Sequence, residues 1–190
     1  MRKIIMLMHV SLDGFVADPA GNLDWVRHDG EIFDYVTEHF QTVDTCLYGR
    51  ATYQSMRDYW PTVPANPAST ERQRHHASWV EQVAKVVIST TLPHADWHNT
   101  RLISGNVAEE IQQLRQQPGR NMMLFGSPRL AHSFMQLGLI DEYLLNVNPV
   151  LLGQGVPLFH GARRRTPLEL LSSRTFSSGV IGLHYQHEKA

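Results

Sequence analysis

The sequence lacks the features of several protein classes. It has one cysteine, Cys46, among 190 residues, so no disulfide can form within the chain and a buried thiol is expected. No apolar run approaches the length of a membrane-spanning helix, and no signal peptide is evident. The formal net charge of −1 gives no general attraction to nucleic acid or to a membrane surface. We therefore expect a cytoplasmic enzyme or binding protein with no nucleic-acid or membrane partner.

Several catalytic motifs are also missing. The chain contains neither the dinucleotide-binding fingerprint G-x-G-x-x-G after its first strand nor the P-loop G-x-x-x-x-G-K-[ST]. It lacks the G-x-S-x-G turn of hydrolases. Eleven histidines are present, but there is no H-E-x-x-H, and the pair His75-His76 has no carboxylate at ligand spacing. We expect no metal site, and we expect the histidines to be solvated.

Short apolar runs alternate with amphipathic segments of helical period along the chain. This alternation predicts a mostly parallel sheet covered by helices on both faces, with an antiparallel hairpin at the end, in one domain over residues 1–190. The excursion 61–69 has no periodicity and predicts a surface loop. Strands are predicted at 4–10, 43–48, 85–91, 101–104, 121–125 and 139–147, helices at 29–40, 50–56, 69–83, 107–117 and 130–137, and the hairpin at 167–176 and 180–187.

A sharp turn from strand to helix lies at the centre of the stretch 122–137. Ser127 is expected to cap the helix, Pro128 to take the first helical position, and Gly126 to let a ligand approach the backbone. A helix start presents unpaired N–H groups and partial positive charge, to which Arg129 adds a full charge. A second turn of this kind occurs at Gly49-Arg50. Phosphate binding and an ordinary strand-to-helix turn are both compatible with this pattern.

Polar residues follow the carboxyl ends of the predicted strands, where ligands of parallel sheets bind. Two glycine turns and a run of hydroxyl groups fit a ligand with several phosphates, which two arginines could grip. The hydroxyl groups of 89–91 could instead only cap the end of their own strand. The residues expected along this edge are Ser11, Asp13, Gly49, Arg50, Thr52, Ser89, Thr90, Thr91, Ser104, Gly126 and Ser127.

Six segments in order resemble a known family: 11–17 (SLDGFVA), 47–53 (LYGRATY), 85–92 (KVVISTTL), 125–130 (FGSPRL), 138–143 (GLIDEY) and 149–159 (PVLLGQGVPLF). The chain resembles a stand-alone member of the dihydrofolate reductase-like superfamily, similar to the C-terminal reductase domain of the bifunctional riboflavin-biosynthesis protein. The resemblance implies a three-layer α/β/α fold with NADPH across the carboxyl edge of the sheet, and a homodimer. A single cysteine excludes the P-C-x-x-C motif of the accompanying zinc deaminase.

The resemblance also implies which residues bind NADPH. The turn Gly49-Arg50-Ala51-Thr52 matches the family's G-R-x-T motif, residues 89–91 lie towards the adenosine side, and 11–14 border the nicotinamide. The full set is Val10, Gly14, Trp25, Gly49, Arg50, Ala51, Thr52, Ser89, Thr90, Thr91, Ser104, Phe125, Gly126, Ser127, Pro128, Arg129 and Leu130.

The implied activity is NADPH-dependent hydride transfer to a pteridine or to a 5-amino-6-ribosylaminouracil-like compound, as in the 5-amino-6-(5-phosphoribosylamino)uracil reductase of riboflavin biosynthesis. Asp13 is the first catalytic candidate, as a polar group that anchors the substrate or relays a proton, and Asp34 and Glu31 are the next candidates. Asp13 could instead fix a turn, and Trp25 could belong to the core. The alternative function is a non-catalytic nucleotide-binding or regulatory protein. Asp141 and Glu142 are expected to cap or pair at a strand start.

Overall fold

A computed structural model describes residues 1–160 and 165–188 and contains one large mixed sheet. Its eight strands are β1 (Ile4–Ser11), β3 (Val43–Gly49), β4 (Ala84–Ile88), β5 (Thr100–Ile103), β6 (Asn121–Phe125), β7 (Glu142–Asn148), β9 (Leu168–Thr175) and β10 (Ile181–His187), and a separate pair consists of β2 (Phe15–Ala17) and β8 (Val156–Pro157). The order of the eight strands in the sheet is β5-β4-β3-β6-β1-β7-β10-β9. The first six in this order are parallel, and β10 and β9 add an antiparallel hairpin.

Five α-helices within these residues cover the two faces of the sheet. Two apolar clusters lie between the layers, one on each face, and the helices divide between them. The first three helices pack on one face and the last two on the other. They are α1 (Gly30–Phe40), α2 (Arg50–Tyr59), α3 (Glu71–Gln82), α4 (Val107–Gln116) and α5 (Pro128–Gln136). The predicted three-layer α/β/α class, with its parallel sheet and antiparallel hairpin, is confirmed.

The central strands are mostly apolar because helices cover both of their faces. In β1, Ile4 and Met6 are fully buried against one cluster, and Ile5 and Leu7 face the other. The residues Met122 to Leu124 of β6 are also fully buried. The pair β2–β8 is absent from the sequence prediction because such short strands carry no periodicity. A Cβ atom at Gly155 would lie 2.1 Å from the carbonyl oxygen of Ala17, so this pair requires glycine there.

The excursion 61–69 is more ordered than predicted. A 3₁₀ helix covers Trp60–Ala65, and Val63 is buried at 2% exposure. The following helix, α3, begins with a capping box in which Thr70 and Gln73 exchange hydrogen bonds. The prediction that the histidines are solvated is wrong for His76. Its ring packs against Trp60, Phe40 and their neighbours, and burial lowers its pKa to about 4.

The chain runs from β1 through β3 and β4 to β5 at the edge of the sheet, and then returns through β6 to β7. Connections from β1 towards β5 run over one face, and connections from β5 through β6 to β7 run over the other. Helix α2 follows β3 and helix α5 follows β6, so two neighbouring strands send their helices to opposite faces. Such a point opens a crevice at the carboxyl ends of the strands, where α/β proteins bind ligands.

Candidate functional site at the carboxyl edge of the sheet

The two glycine turns predicted from the sequence lie side by side at this crevice. Gly49 ends β3 and precedes α2, and Gly126 follows β6 before α5. A Cβ atom at Gly49 would lie 3.2 Å from both Cβ and Oγ of Ser127, so a side chain there would crowd the neighbouring turn. The structure therefore brings together two segments that are 77 residues apart in the chain, from 49 to 126.

Ser127 connects the two turns. Its Oγ accepts a hydrogen bond from the Gly49 backbone N–H at 2.9 Å and donates to Oγ1 of Thr52 at 2.7 Å. The expected cap is only partly correct, because Ser127 occupies the N-cap position of α5 but makes no side-chain hydrogen bond to that helix. Gly126 and Ser127 both have left-handed backbone angles, with φ of 50° and 55°. This conformation turns the Ser127 hydroxyl towards α2.

The starts of α2 and α5 are left without a capping side chain or an acidic residue in the first turn. The other helix starts differ, because α1 and α3 have capping side chains and α4 has two glutamates in its first turn. Backbone N–H groups and partial positive charge at α2 and α5 therefore remain available to an anion.

Two arginines add full positive charge to this pair of helix starts. Arg50 and Arg129 are exposed, and neither guanidinium group has an ion pair or hydrogen bond within residues 1–160 and 165–188. Six other arginines have carboxylate partners. A guanidinium group with free donors, beside unpaired N–H groups, is the arrangement that binds phosphate in a forked contact.

The hydroxyl run 89–91 lies just beyond the end of β4. The Ser89 Oγ accepts hydrogen bonds from the backbone N–H groups of Thr91 at 3.2 Å and Leu92 at 3.0 Å. This geometry corresponds to the capping alternative for Ser89 and leaves Thr90 and Thr91 exposed. Ser104, after β5, is also exposed at the same edge.

Asp13 connects two loops by hydrogen bonds at the end of β1. Its carboxylate accepts hydrogen bonds from the Ser11 hydroxyl at 2.6 Å and from the N–H groups of Gly153 at 2.7 Å and Leu152 at 3.2 Å. These hydrogen bonds lower the pKa of Asp13, and the bond from Ser11 has the largest effect. The carboxyl group is therefore ionised at neutral pH and joins the 12–14 turn to the 152–153 loop, which corresponds to the turn-fixing alternative.

The other two candidate acids have separate partners. Asp34 forms an exposed ion pair with Arg72 at 2.8 Å, between α1 and α3. Glu31, at the start of α1, accepts a hydrogen bond from the Ser177 N–H at 2.8 Å. The three acids predicted for catalysis thus have three different sets of contacts and do not share one.

Several residues of the predicted cofactor set have buried side chains. Val10, Phe125 and Leu130 pack in the two cores at exposures of 5 to 8%, so their backbone is the part that faces the edge. Trp25 is half-buried, and its Nε1–H donates to the Asn22 carbonyl oxygen at 3.3 Å. Gly14 has a φ of 88° in the turn after β1.

The sequence prediction did not include three polar residues in the middle of the sheet. His9, Asn146 and Asn148 lie near the carboxyl ends of β1 and β7. Their signal in the sequence is a polar side chain within an otherwise apolar run, as in Met8-His9-Val10 and Leu145-Asn146-Val147. Among the residues with described positions, no group of three or more histidine, cysteine or carboxylate side chains could hold a metal ion, and no helix could cross a membrane.

Comparison with solved structures identifies the fold as dihydrofolate reductase-like. The chain is similar to a putative riboflavin biosynthesis protein from Shewanella sp. PV-4, with a TM-score of 0.76 and 22% identity over 98% of this chain and 99% of that one. It is also similar to dihydrofolate reductase from Enterococcus faecalis in complex with NADP(H), with a TM-score of 0.63 and 13% identity over 98% and 97% of the two chains.

Sequence comparison then gives the family. The chain matches the family described as the RibD C-terminal domain over residues 2–182, and it belongs to that family. It is 34% identical over 184 residues to the uncharacterized protein YyaP of Bacillus subtilis (strain 168), which covers 97% of this chain and 94% of YyaP. The predicted relationship to the reductase part of the riboflavin-biosynthesis protein is confirmed.

Proposed function

We propose that the chain is an NADPH-dependent reductase that transfers hydride to a small heterocycle of the pteridine or aminouracil type. The observation that carries this proposal is the pair of uncapped helix starts at Gly49 and Gly126, which Ser127 joins and two unpaired arginines flank. Membership of the RibD C-terminal domain family and the fold shared with an NADP(H)-bound reductase support it.

The residues present fit a cofactor with several phosphate groups. The first-turn N–H groups of α2 and α5 would bind the pyrophosphate, and Arg50 and Arg129 would neutralise its charge. The absence of side chains at Gly49 and Gly126 keeps the backbone accessible. Exposed hydroxyl groups at 90–91 and at Ser104 would face the adenosine end. Bound NADPH would supply the hydride, so the protein contributes binding, orientation and electrostatics.

The experiment that tests this function is thermal unfolding with NADPH, with NADH and without ligand, followed by hydride transfer to pterins and aminouracils. Saturation at about a hundred times the dissociation constant stabilises a protein by roughly 2.7 kcal/mol. We expect a clear shift with NADPH and oxidation of NADPH by at least one acceptor. No shift with either nucleotide would mean that the two turns are structural only.

A second candidate is a nucleotide-binding protein without catalysis. The observation that favours it is the engagement of the three predicted acids, Asp13, Glu31 and Asp34, in contacts within the chain. NADPH binding without oxidation by any acceptor would support this candidate over the reductase.

The proposal includes a homodimer formed through the C-terminal hairpin. Strand β9 lies at the edge of the sheet and is exposed along almost its whole length, including Leu170 at 50% and Leu171 at 42%. An exposed edge strand can pair with a second copy. Sedimentation should give twice the mass of the 21.7 kDa chain, and a monomer at all concentrations would contradict this part of the proposal.

A further inference from the structure

Two polar side chains, one fully buried and one half-buried, lie next to one another on the face of the sheet that carries α1. His9 of β1 and Asn146 of β7 are partners in the parallel register, so their side chains leave the sheet on the same side. Leu7 and Leu144, two residues earlier on the same strands, belong to the apolar cluster beneath α1. The pair therefore lies at the point where this core ends and the carboxyl edge begins.

Neither side chain is satisfied by the fold. Asn146 has no exposed surface, and neither Nδ2 nor Oδ1 of its carboxamide has a hydrogen-bond partner in the part of the chain that the structure describes. The Nδ1 atom of His9 is also buried without a partner there. An unsatisfied buried polar group destabilises the folded state, and native structures contain few of them. Two adjacent cases at the ligand-binding edge indicate groups reserved for a ligand.

Asn148 shows that the same face can satisfy an asparagine. It lies two residues after Asn146 and is equally buried. Its Oδ1 accepts a hydrogen bond from the Arg27 N–H at 2.9 Å, and its Nδ2 donates to the Asn146 carbonyl oxygen at 3.0 Å. The missing partners of the Asn146 side chain are therefore a property of that position.

The neighbour of Asn146 on the other side offers no partner either. Gly182 of β10 is paired with Asn146 and has no side chain. The Tyr35 ring occupies the space above it, because a Cβ atom at Gly182 would lie 2.9 Å from this ring. The Tyr35 ring therefore fills the Gly182 side of Asn146, and His9 lies on the opposite side.

His9 marks the opening to this pair. Protein surrounds it so closely that burial, with a small contribution from His28, lowers its pKa to about 4, and yet it keeps some contact with solvent. A side chain that is surrounded but not sealed lies at the floor of a crevice. The His28 ring stands edge-on to the His9 ring at 5.6 Å, and the half-buried Trp25 lies in the same segment. The imidazole of His9 is neutral at physiological pH.

We propose that His9 and Asn146 are specificity-determining residues that bind the lactam edge (–CO–NH–) of a neutral heterocyclic substrate. This proposal rests on the proposed reductase function and names the chemical class of its substrate. A carboxamide has a donor and an acceptor side by side in one plane, as a lactam does, so the two groups can exchange two hydrogen bonds. The neutral imidazole supplies one more donor or acceptor. Anionic groups fit the arginine turns instead.

The test compares lumazine, a pteridine dione with lactam groups, with its di-N-methylated counterpart, which has no lactam N–H to donate. Binding of each to the full chain, with NADPH present, is measured by calorimetry. We expect the methylated compound to bind at least about tenfold more weakly, which corresponds to one lost buried hydrogen bond. In Asn146→Leu we expect this difference to disappear while NADPH binding is unchanged.

Asn148→Leu is the matched control, because it removes a buried asparagine whose bonds are all made within the protein. We expect Asn148→Leu to lower the melting temperature and Asn146→Leu to leave it unchanged or raise it, since an unsatisfied group is removed. Equal destabilisation by both variants, or unchanged discrimination in Asn146→Leu, would overturn the role of Asn146.

The lactam-binding role and the reductase function can be overturned separately. If wild-type protein binds NADPH but does not discriminate lumazine from its methylated counterpart, the substrate class is wrong and the reductase proposal stands. If lumazine binds with the expected discrimination and NADPH does not bind, the lactam crevice stands and the proposed function is overturned.

Discussion

The two ends of the parallel strands differ in how their polar groups are used. At the amino end, Arg2 donates to the Asp44 carboxylate, to the Thr45 hydroxyl and to the Arg120 carbonyl oxygen. Lys85 is buried and donates to three carbonyl oxygens at 2.9 to 3.1 Å. At the carboxyl end, Arg50 has no partner within residues 1–160 and 165–188. The same kinds of side chain thus stabilise the fold at one end and remain available at the other.

The same comparison distinguishes a cleft at the amino end of the strands from the proposed ligand site at their carboxyl end. A cleft of about 420 Å³ lies at the amino end, where Arg2, Asp44 and Trp79 are among its lining residues. Its charged groups already have hydrogen-bond partners within the protein, and Trp79 stacks on Phe40 at 4.2 Å. The carboxyl edge offers unpaired N–H groups and arginines. Unmet hydrogen-bonding capacity, and not the presence of a cleft, is the reason for placing the proposed ligand site at the carboxyl edge.

The largest effect is expected from breaking a pair at the amino end. Arg115 has a side chain that is 5% exposed and donates to both oxygens of Asp141 at 2.8 Å, while Asp141 also accepts from the Ile4 N–H. In Asp141→Ala the buried guanidinium loses its partner, so we expect the free energy of unfolding to fall by about 3–5 kcal/mol in urea. NADPH affinity of the folded protein should not change. A loss below about 1 kcal/mol would show that the pair behaves like a surface ion pair.

Removing the two unpaired arginines should weaken NADPH binding and leave the free energy of unfolding nearly unchanged. Arg50→Ala and Arg129→Ala should each weaken NADPH binding about tenfold, and the double variant about a hundredfold, because each loses a charge-assisted contact. The free energy of unfolding should stay within about 0.5 kcal/mol of wild type, since neither side chain has a partner to lose. Arg174→Ala, at the far edge of the sheet, is the control. Unchanged titration curves in the double variant would remove the phosphate site.

Acid should destabilise the amino end through Glu142. Its hydrogen bond to His184 outweighs burial and, with Lys3, lowers its pKa from 4.5 to about 2. A carboxyl group whose pKa is lower in the folded state contributes stability above about pH 4.5, and this contribution is lost as the pH falls towards 2. We expect roughly 2 kcal/mol of such loss, allowing for screening at the half-exposed Lys3.

Glu142→Gln should flatten this part of the stability curve, as measured by urea unfolding at several pH values. His76 provides the internal control, because its pKa of about 4 against an ordinary value of 6.5 places its own loss of stability between pH 6.5 and 4. Identical acid profiles of wild type and Glu142→Gln would show that this carboxyl group is not stabilised by the fold.

The smallest effect is expected at Ser127. Ala and Gly variants both lose the hydroxyl that joins Gly49 to Thr52, so both should weaken NADPH binding by allowing the turns to separate. Ser127→Gly should be more stable than Ser127→Ala by about 1 kcal/mol, because glycine adopts the left-handed backbone without strain. Equal NADPH affinity in wild type and both variants would limit Ser127 to a structural role.

Most of the fold could be predicted because local patterns agree with it. Apolar runs such as 121–125 and helical periods such as that of Val107 to Leu114 give the correct order of elements. The expected pairing of Asp141 and Glu142 at a strand start is also confirmed, with Arg115 and with Lys3 and His184. The 3₁₀ helix at Trp60–Ala65 has no period that a sequence pattern could show.

Some features of the candidate site could likewise be predicted from the sequence, and others could not. Its glycine turns and arginines are visible in the sequence because strand-to-helix turns have a local signature. The sequence by itself determined that such turns exist and that helix starts carry positive charge. Only the tertiary structure decided that the Ser127 hydroxyl bonds to Gly49, that Asp13 holds the 152–153 loop, and that His9 and Asn146 lie adjacent and unsatisfied. These features depend on which strands become neighbours, and strand order is set by packing between segments far apart in the chain.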